Sequence, residues 1–283
     1  MEAPTISLGD FTIYNFKKAE SILVEKYPYL TNRELYFNRR QSDIFLGIKV
    51  AARENAKAVE KADELVEIFE NVMNYVITDL THVRSVGVFN FRGWRNTSRV
   101  VCNNSSMGFH GSNEIWLPVK IEDKFFTDSS SGNDKIWPLI TKADKTELER
   151  RLIQAIEWIG KGVHDKDKSK ALVQFVFSIE GMLQYDGKTL ITPSIVSQLS
   201  DWLAFIIQDQ PDKRKQIAKY FKGTYKKRSA IVHGGAKTID IKDLQIALQI
   251  AKLMVISFLV TKPFCNMRTI EELGDYITEL KFK

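Results

Sequence analysis

The spacing of apolar residues changes character about halfway along the chain. Before residue 127 it predicts a mixture of short strands and one helix. After residue 142 apolar residues recur every three or four positions, which is typical of amphipathic helices. Between them lies the segment TDSSSGND, whose small, turn-forming residues predict a loop. We therefore predict an α+β fold with a boundary between about 127 and 142. A small N-terminal α/β domain would span 1–135, and an all-α helical bundle would span 142–283.

The first half is expected to contain one helix and several strands. Residues 55–77 carry apolar side chains at helical spacing, and residues 44–50 form the short β-branched run of a buried strand. No regular pattern precedes residue 44, so we expect irregular structure there. Further strands are predicted at 86–91, 99–101 and 115–119.

The second half predicts five helices and a shorter sixth, joined by short links as in an antiparallel bundle. The second of them is apolar nearly all round, so it is expected in the middle of the bundle. The fourth ends at Gly234 and Gly235, a plausible C-cap. The predicted helices are 145–163, 168–184, 193–208, 212–233, 239–260 and 269–280.

Composition excludes several classes of protein. Of the 283 residues, 44% are hydrophobic and 27% are charged, a globular balance that excludes wholesale disorder, collagen and a coiled-coil rod. The two cysteines, Cys102 and Cys265, lie far apart and predict neither a disulfide framework nor a cysteine zinc site. No apolar run approaches the roughly 20 residues that cross a bilayer, and the first residues do not resemble a signal peptide. We expect a cytoplasmic protein with no membrane association, metal or cofactor.

The positive charge is concentrated in the fourth predicted helix. The chain has 41 Lys+Arg against 35 Asp+Glu, a net charge of +6, whereas residues 212–237 hold nine basic residues and one acid. Tyr220, Phe221 and Tyr225 lie among them. Basic and aromatic side chains together suit phosphate contacts and base stacking. A solvated helix face would have the same composition, so both interpretations stay open.

Within this helix lies the segment YKKRSAIVHG, residues 225–234. Arg228 and His233 are about 140° apart on an ideal helix, while Ser229 shares a face with His233. The arginine and histidine could converge on one phosphate near the helix end or across a two-fold interface. Alternatively, His233 only caps the helix. Glu180, in the most apolar helix, needs a partner because an unpaired buried carboxylate is costly. From burial alone, that partner would be a lysine or a backbone amide of the core.

The segment resembles the Y-x-x-R-S-x-I-V-H-G form of the signature of HEPN domains, a helical family of prokaryotic toxins and defence proteins. The segment FSIEGML, residues 177–183, resembles the mid-bundle helix of that family, with its inward acidic residue. AIEWI, residues 155–159, also fits. The likeness covers about residues 142–262 and is closest to the HEPN domains of ApeA-like phage-defence proteins. Residues 1–130 show no comparable likeness.

The resemblance implies metal-independent RNA cleavage, in which the 2′-hydroxyl of the RNA attacks the adjacent phosphate. It also implies a homodimer, because nucleases of this family pair two motifs to supply both a base and an acid. The substrate would be tRNA or mRNA, and an antitoxin or sensor subunit could accompany the protein. The catalytic residues implied are Arg228, His233 and a supporting Glu180. The RNA-binding residues expected are Ser229, Tyr225, Lys222, Lys226 and Lys227.

Two departures from the family pattern are visible. Ser229 stands where active members often have Asn, Asp or His. Gly234 stands where some members carry a tyrosine that a partner enzyme modifies, so adenylylation there is not expected. Two other hypotheses remain open. One is a non-catalytic module for nucleic-acid or nucleotide binding and dimerisation. The other is an interaction protein that exposes apolar side chains of helix 239–260 as an assembly surface.

Overall fold

The computed structural model describes residues 3–26, 44–78, 86–87, 98–102, 107–111, 121–122, 124–185, 194–234 and 238–282. The chain forms two compact units, neither of which is continuous in sequence. The first takes its residues from Met1–Ser7, Phe11–Lys49 and Val86–Glu122. The second takes its residues from Leu8–Asp10, Val50–Ser85 and Asp123–Lys283.

The first unit contains two small sheets. Strands β1 (Thr5–Leu8), β2 (Phe11–Asn15) and β3 (Ile44–Ile48) form an antiparallel sheet in the order β1-β2-β3. Helix α1 (Phe16–Lys26) packs Ala19 and Leu23 against Tyr14 of β2. A second antiparallel sheet pairs β4 (Ser98–Cys102) with β5 (Met107–Gly111).

The strand predictions for this unit are partly confirmed. The predicted strands at 44–50 and 99–101 correspond to β3 and β4. The expectation of irregular structure before residue 44 is wrong for residues 5–26, which form β1, β2 and α1, and β5 was not predicted. Val86 and Gly87 are not in a strand. Residues 88–91 and 115–119, where further strands are predicted, lie outside the described residues.

The second unit is a helical bundle. The helix predictions for 55–77 and for the second half of the chain are confirmed, with ends within about two residues. The short helices Lys124–Thr127 and Asn133–Thr141 were not predicted. The helices are α2 (Asn55–Ile77), α3 (Lys124–Thr127), α4 (Asn133–Thr141), α5 (Glu147–His164), α6 (Lys168–Leu183), α7 (Ile195–Ile207), α8 (Pro211–Val232), α9 (Ile241–Val260) and α10 (Ile270–Lys281).

The observed division differs from the predicted domain boundary because α2 belongs to the helical unit. α2 packs so closely on α5 that a Cβ atom on Gly160 would lie 1.9 Å from the carbonyl oxygen of Asn71. The TDSSSGND segment is not a linker between domains. The Asp128 carboxylate accepts hydrogen bonds from Ser130 and Ser131. α4 follows at once, and Nζ of Lys135 donates to the carbonyl oxygen of Leu259 at 2.7 Å.

Helix α6 lies at the centre of the bundle, as its all-round apolar pattern predicted. It packs against α5, α7, α8 and α9. The buried hydroxyl of Ser178 on this helix donates a hydrogen bond to the carbonyl oxygen of Phe175. Glu180, one turn from the end of α6, therefore lies between helices rather than on an outer face.

Helix α9 is also part of the core. It is the one helix among the described residues that is long and apolar enough to cross a membrane by length and composition, but more than half of it is buried in the bundle. Lys252 is buried on this helix and donates to the carbonyl oxygens of Tyr75 and Thr78 at the end of α2. Of the apolar positions considered as an assembly surface, Ile241 is exposed, Leu248 is buried and the others are half-buried. The hypothesis that α9 exposes an apolar assembly surface along its length is therefore wrong.

Candidate functional site

Helix α8 carries the Arg228–His233 motif, and both of its ends follow from sequence. Pro211 occupies the first turn, where its missing N–H costs nothing. The helix ends at His233, and Gly234 follows with φ 78°, a left-handed conformation that suits glycine. This confirms the predicted C-cap at Gly234, whereas Gly235 lies outside the described residues. The buried Phe221 and Thr224 direct one face of α8 into the bundle.

The Glu180 carboxylate accepts hydrogen bonds from two side chains of α8. Nη2 of Arg228 donates to Oε2 of Glu180 at 2.9 Å, and the Tyr225 hydroxyl donates to Oε1 at 2.8 Å. The side chains of Arg228 and Glu180 are 19% and 13% exposed. Of the two interpretations of Glu180, the structure therefore favours a partner within the motif.

Two aromatic rings complete the surroundings of the Arg228 guanidinium. Its Cζ lies 5.2 Å from the ring centroid of Phe177 and 5.4 Å from that of Tyr225, within the range of cation–π attraction. Its Nε is buried and has no hydrogen-bond partner in the part of the chain that the structure describes. The guanidinium is thus fixed on one side by Glu180 and keeps an unsatisfied donor on another.

Tyr225 packs in the bundle rather than standing free for a base. Its ring contacts the apolar cluster of Leu172, Val176 and Ile239, and it meets the ring of Phe221 edge-on at 5.9 Å. Burial first, and then the hydrogen bond to Glu180, raises the pKa of Tyr225. Its hydroxyl therefore stays protonated and continues to donate to Glu180 well above neutral pH.

Arg228 and His233 are not hydrogen-bonded to each other in the described part of the chain. His233 takes the C-cap position of α8, where its backbone N–H donates to the carbonyl oxygen of Ser229 at 3.1 Å. Its side chain is exposed and has no hydrogen-bond partner among the residues described here. Arg228 instead points toward α6.

The three lysines expected to hold RNA fall into two groups. Lys222 and Lys226 are exposed. Lys227 forms an ion pair with Asp243 of α9. Although burial opposes it, the hydrogen bonds from Lys227 and from the backbone of Asp240 hold the pKa of Asp243 below its usual value. Lys227 therefore joins α8 to α9 and is not free for a ligand, which differs from its predicted role.

Glu180→Ala should destabilise the bundle by about 3 kcal/mol, because it leaves the Arg228 charge buried without its partner. Thermal or urea unfolding would measure this. The matched control is Asp201→Ala, which breaks the more exposed pair of Asp201 with Lys281 and should cost less than about 1 kcal/mol. Equal losses in the two variants would contradict a buried pair at Glu180.

The described residues contain no cluster of three or more His, Cys, Asp or Glu side chains that could hold a metal ion. Comparison with known proteins does not assign the chain to a family. The chain matches no family model, no curated protein and no solved structure.

Proposed function

We propose that this protein is a metal-independent endoribonuclease of a toxin or antiphage-defence system. It would cut RNA by 2′-hydroxyl attack at a composite site formed by the Arg228–His233 motifs of two HEPN-like bundles. The protein would work in the cytoplasm on tRNA or mRNA. An antitoxin or sensor subunit could accompany it, and the first half of the chain would recognise substrate, sense infection or contact a partner.

The observation that carries this proposal is the half-satisfied guanidinium of Arg228. Glu180 fixes its direction through Nη2, while its buried Nε lacks a partner among the described residues. An unsatisfied buried donor costs free energy. A phosphate oxygen that reached another N–H group of this guanidinium, whose side chain is 19% exposed, would gain a charge-assisted hydrogen bond. The same planar set of donors suits the extra negative charge of a phosphorane.

His233 would move the protons. During cleavage the 2′-oxygen loses its proton and bonds to phosphorus, and the bond from phosphorus to the 5′-oxygen breaks as that oxygen gains a proton. One imidazole can serve one of these transfers, so two copies of the motif would supply the base and the acid. The exposed position of His233 at the end of α8 leaves it within reach of a second chain.

Two exposed apolar side chains support the homodimer. Val232 is 51% exposed and Ile241 is 62% exposed, and they lie on either side of His233 in the chain. Large apolar side chains left in water on adjoining helix ends suit contact with another surface.

The double variant Val232→Asp/Ile241→Asp should shift the protein from dimer to monomer and abolish cleavage, because two charges would be buried at the contact. Light scattering after size-exclusion chromatography measures the mass. Ile195→Asp, which alters another exposed apolar side chain on α7, should leave the dimer intact. A wild-type protein that is monomeric at all concentrations would contradict the composite site.

The direct test of the proposal is incubation of purified protein with tRNA and mRNA in the presence of a chelator. Wild type should cut the RNA, and Arg228→Ala should not. Cleavage by both proteins at one rate would reject the proposed site.

The second candidate is a non-catalytic module that binds nucleic acid or a nucleotide. It is favoured by one observation, that the Arg228 guanidinium is already paired with Glu180. This candidate predicts that the wild type retains RNA in the same chelator buffer without cutting it.

A further inference from the structure

Helix α8 has an outer face that includes Lys222 and Lys226, two of the lysines expected to bind RNA, and extends well beyond them. Lys215, Lys219, Lys222 and Lys226 are all exposed and follow one another at spacings of four, three and four residues. On a helix this places them within an arc of about 60° and along about 17 Å of its length. Continuing the same line by seven residues leads to His233. The lysines therefore form a row that ends at the candidate catalytic histidine.

Little opposes the charge of this row. Asp212 is the single acidic residue of α8. Its contact with Lys215, at 3.6 Å between two highly exposed side chains, is of the kind that solvent screens and that contributes little. Lys227, which does have a firm partner in Asp243, lies about 100° from the centre of the row. The row thus keeps its positive charge for a ligand.

Gly223 lies beside the row, and no close packing among the described residues requires a glycine at this position. A Cβ atom added there would meet nothing within 4 Å. Glycine inside a helix costs about 0.5–1 kcal/mol relative to alanine, so an exposed helix favours almost any other residue here. What glycine offers is close approach to the helix backbone. It provides a notch between Lys219, Lys226 and Tyr220.

Tyr220 stands on the far side of this notch, one turn before Gly223. It is 43% exposed, and its hydroxyl accepts a hydrogen bond from Nε2 of Gln216 at 3.0 Å. That bond holds the phenol near the helix surface and leaves ring surface in water. Exposed tyrosines beside lysines are the usual means of binding an unstacked base next to its phosphate.

We propose that Lys215, Lys219, Lys222, Lys226, Gly223 and Tyr220 form a track for single-stranded RNA that delivers the strand to His233. About four phosphates would lie along the lysines, at the lower end of single-strand site sizes. One base would cross the notch at Gly223 and stack on Tyr220. A duplex offers phosphates but keeps its base faces stacked, so it would lose the tyrosine contact. The choice of RNA as ligand rests on the proposed function, whereas the track itself needs no catalysis.

The test is fluorescence anisotropy in a chelator, with the full chain carrying His233→Ala so that RNA stays intact. The probes are a labelled 12-nucleotide single strand and the corresponding duplex. On this background Lys219→Gln/Lys226→Gln should weaken binding of the single strand about tenfold. It should also reduce the slope of log affinity against log salt by about 1.4, since each phosphate contact on a single strand contributes about 0.7. The matched control, Lys262→Gln/Arg268→Gln, removes the same charge from exposed side chains outside α8 and should change neither value.

Two further positions distinguish binding along the track from non-specific electrostatic attraction of RNA. Tyr220→Ala should weaken binding of the single strand about tenfold and leave duplex binding nearly unchanged, and Tyr220→Phe should restore the single-strand affinity. Gly223→Leu fills the notch with a good helix former, so it should weaken single-strand binding while the protein stays folded or becomes more stable.

Equal weakening by the lysine variant and its control, or a Tyr220→Ala protein that binds the single strand as before, would overturn the track. So would binding to vesicles of anionic lipid in the absence of any RNA binding. The result also separates the two proposals. Single-strand binding without cleavage by the wild type would reject the nuclease and keep the track. Cleavage with an unchanged KM in the lysine variant would reject the track and keep the nuclease.

Discussion

His233→Ala should slow RNA cleavage at least about 100-fold and leave the melting temperature of the protein unchanged. General acid–base catalysis contributes about 10²–10⁴ to a rate, and the His233 side chain has no structural partner in the described part of the chain to lose. Arg228→Ala should lose cleavage and also stability, because it removes the partner of Glu180 in the core. Initial cleavage rates and thermal unfolding on the same preparations would separate the two effects.

Lys213→Ala serves as the control for these variants, since it changes an exposed side chain at the other end of α8. It should alter neither rate nor melting temperature. A His233→Ala protein that cuts RNA at the wild-type rate would remove the imidazole from the reaction, whatever happens to Arg228.

Gly160→Ala should destabilise the helical unit by about 1–3 kcal/mol or more in urea unfolding. The added Cβ atom would lie 1.9 Å from the carbonyl oxygen of Asn71, so α2 and α5 would have to separate. Overpacking of this kind typically costs about 1–3 kcal/mol and sometimes more. The backbone atoms of α2 cannot move aside as a flexible side chain would.

Gly223→Ala is the matched control, because it makes the same change inside a helix with nothing within 4 Å of the new atom. It should stabilise the protein by about 0.5–1 kcal/mol. If Gly160→Ala were as stable as wild type, the close packing of α2 on the bundle would be contradicted.

The longer helices could be predicted because each extends over at least three turns with apolar residues at helical spacing, whereas the two short ones, α3 and α4, are too brief to show such a pattern. The start of the chain could not, because β1 and β2 are only four and five residues long. One signal was present there. Gly9 and Asp10 separate the two strands, and Gly9 has φ 69°, so the pair marks a two-residue hairpin turn. The domain division was missed because residue order does not reveal that α2 packs on α5.

The part of the candidate site around Glu180 could be predicted, because a buried carboxylate requires a hydrogen-bonding or charged partner. A carboxylate in the most apolar helix required one, and Glu180 found it in Arg228 and Tyr225. Composition alone could not tell which lysines are exposed, because that depends on their angular positions around the helix. Lys222 and Lys226 share the exposed row, whereas Lys227 lies one step round the helix and pairs with Asp243. In the proposed composite site Arg228 and His233 come together across two chains, and no pattern in one sequence specifies that contact.

The ends of the cut RNA test the central claim most directly. Wild-type protein in a chelator should leave 2′,3′-cyclic phosphate and 5′-hydroxyl ends, which mass spectrometry of a short labelled RNA identifies. The same RNA with a 2′-O-methyl group at the cut position should stay whole, since it lacks the attacking hydroxyl. Ends bearing a 5′-phosphate and a 3′-hydroxyl, or cutting of the 2′-O-methyl strand at the same position, would contradict a motif that works through the RNA's own 2′-oxygen.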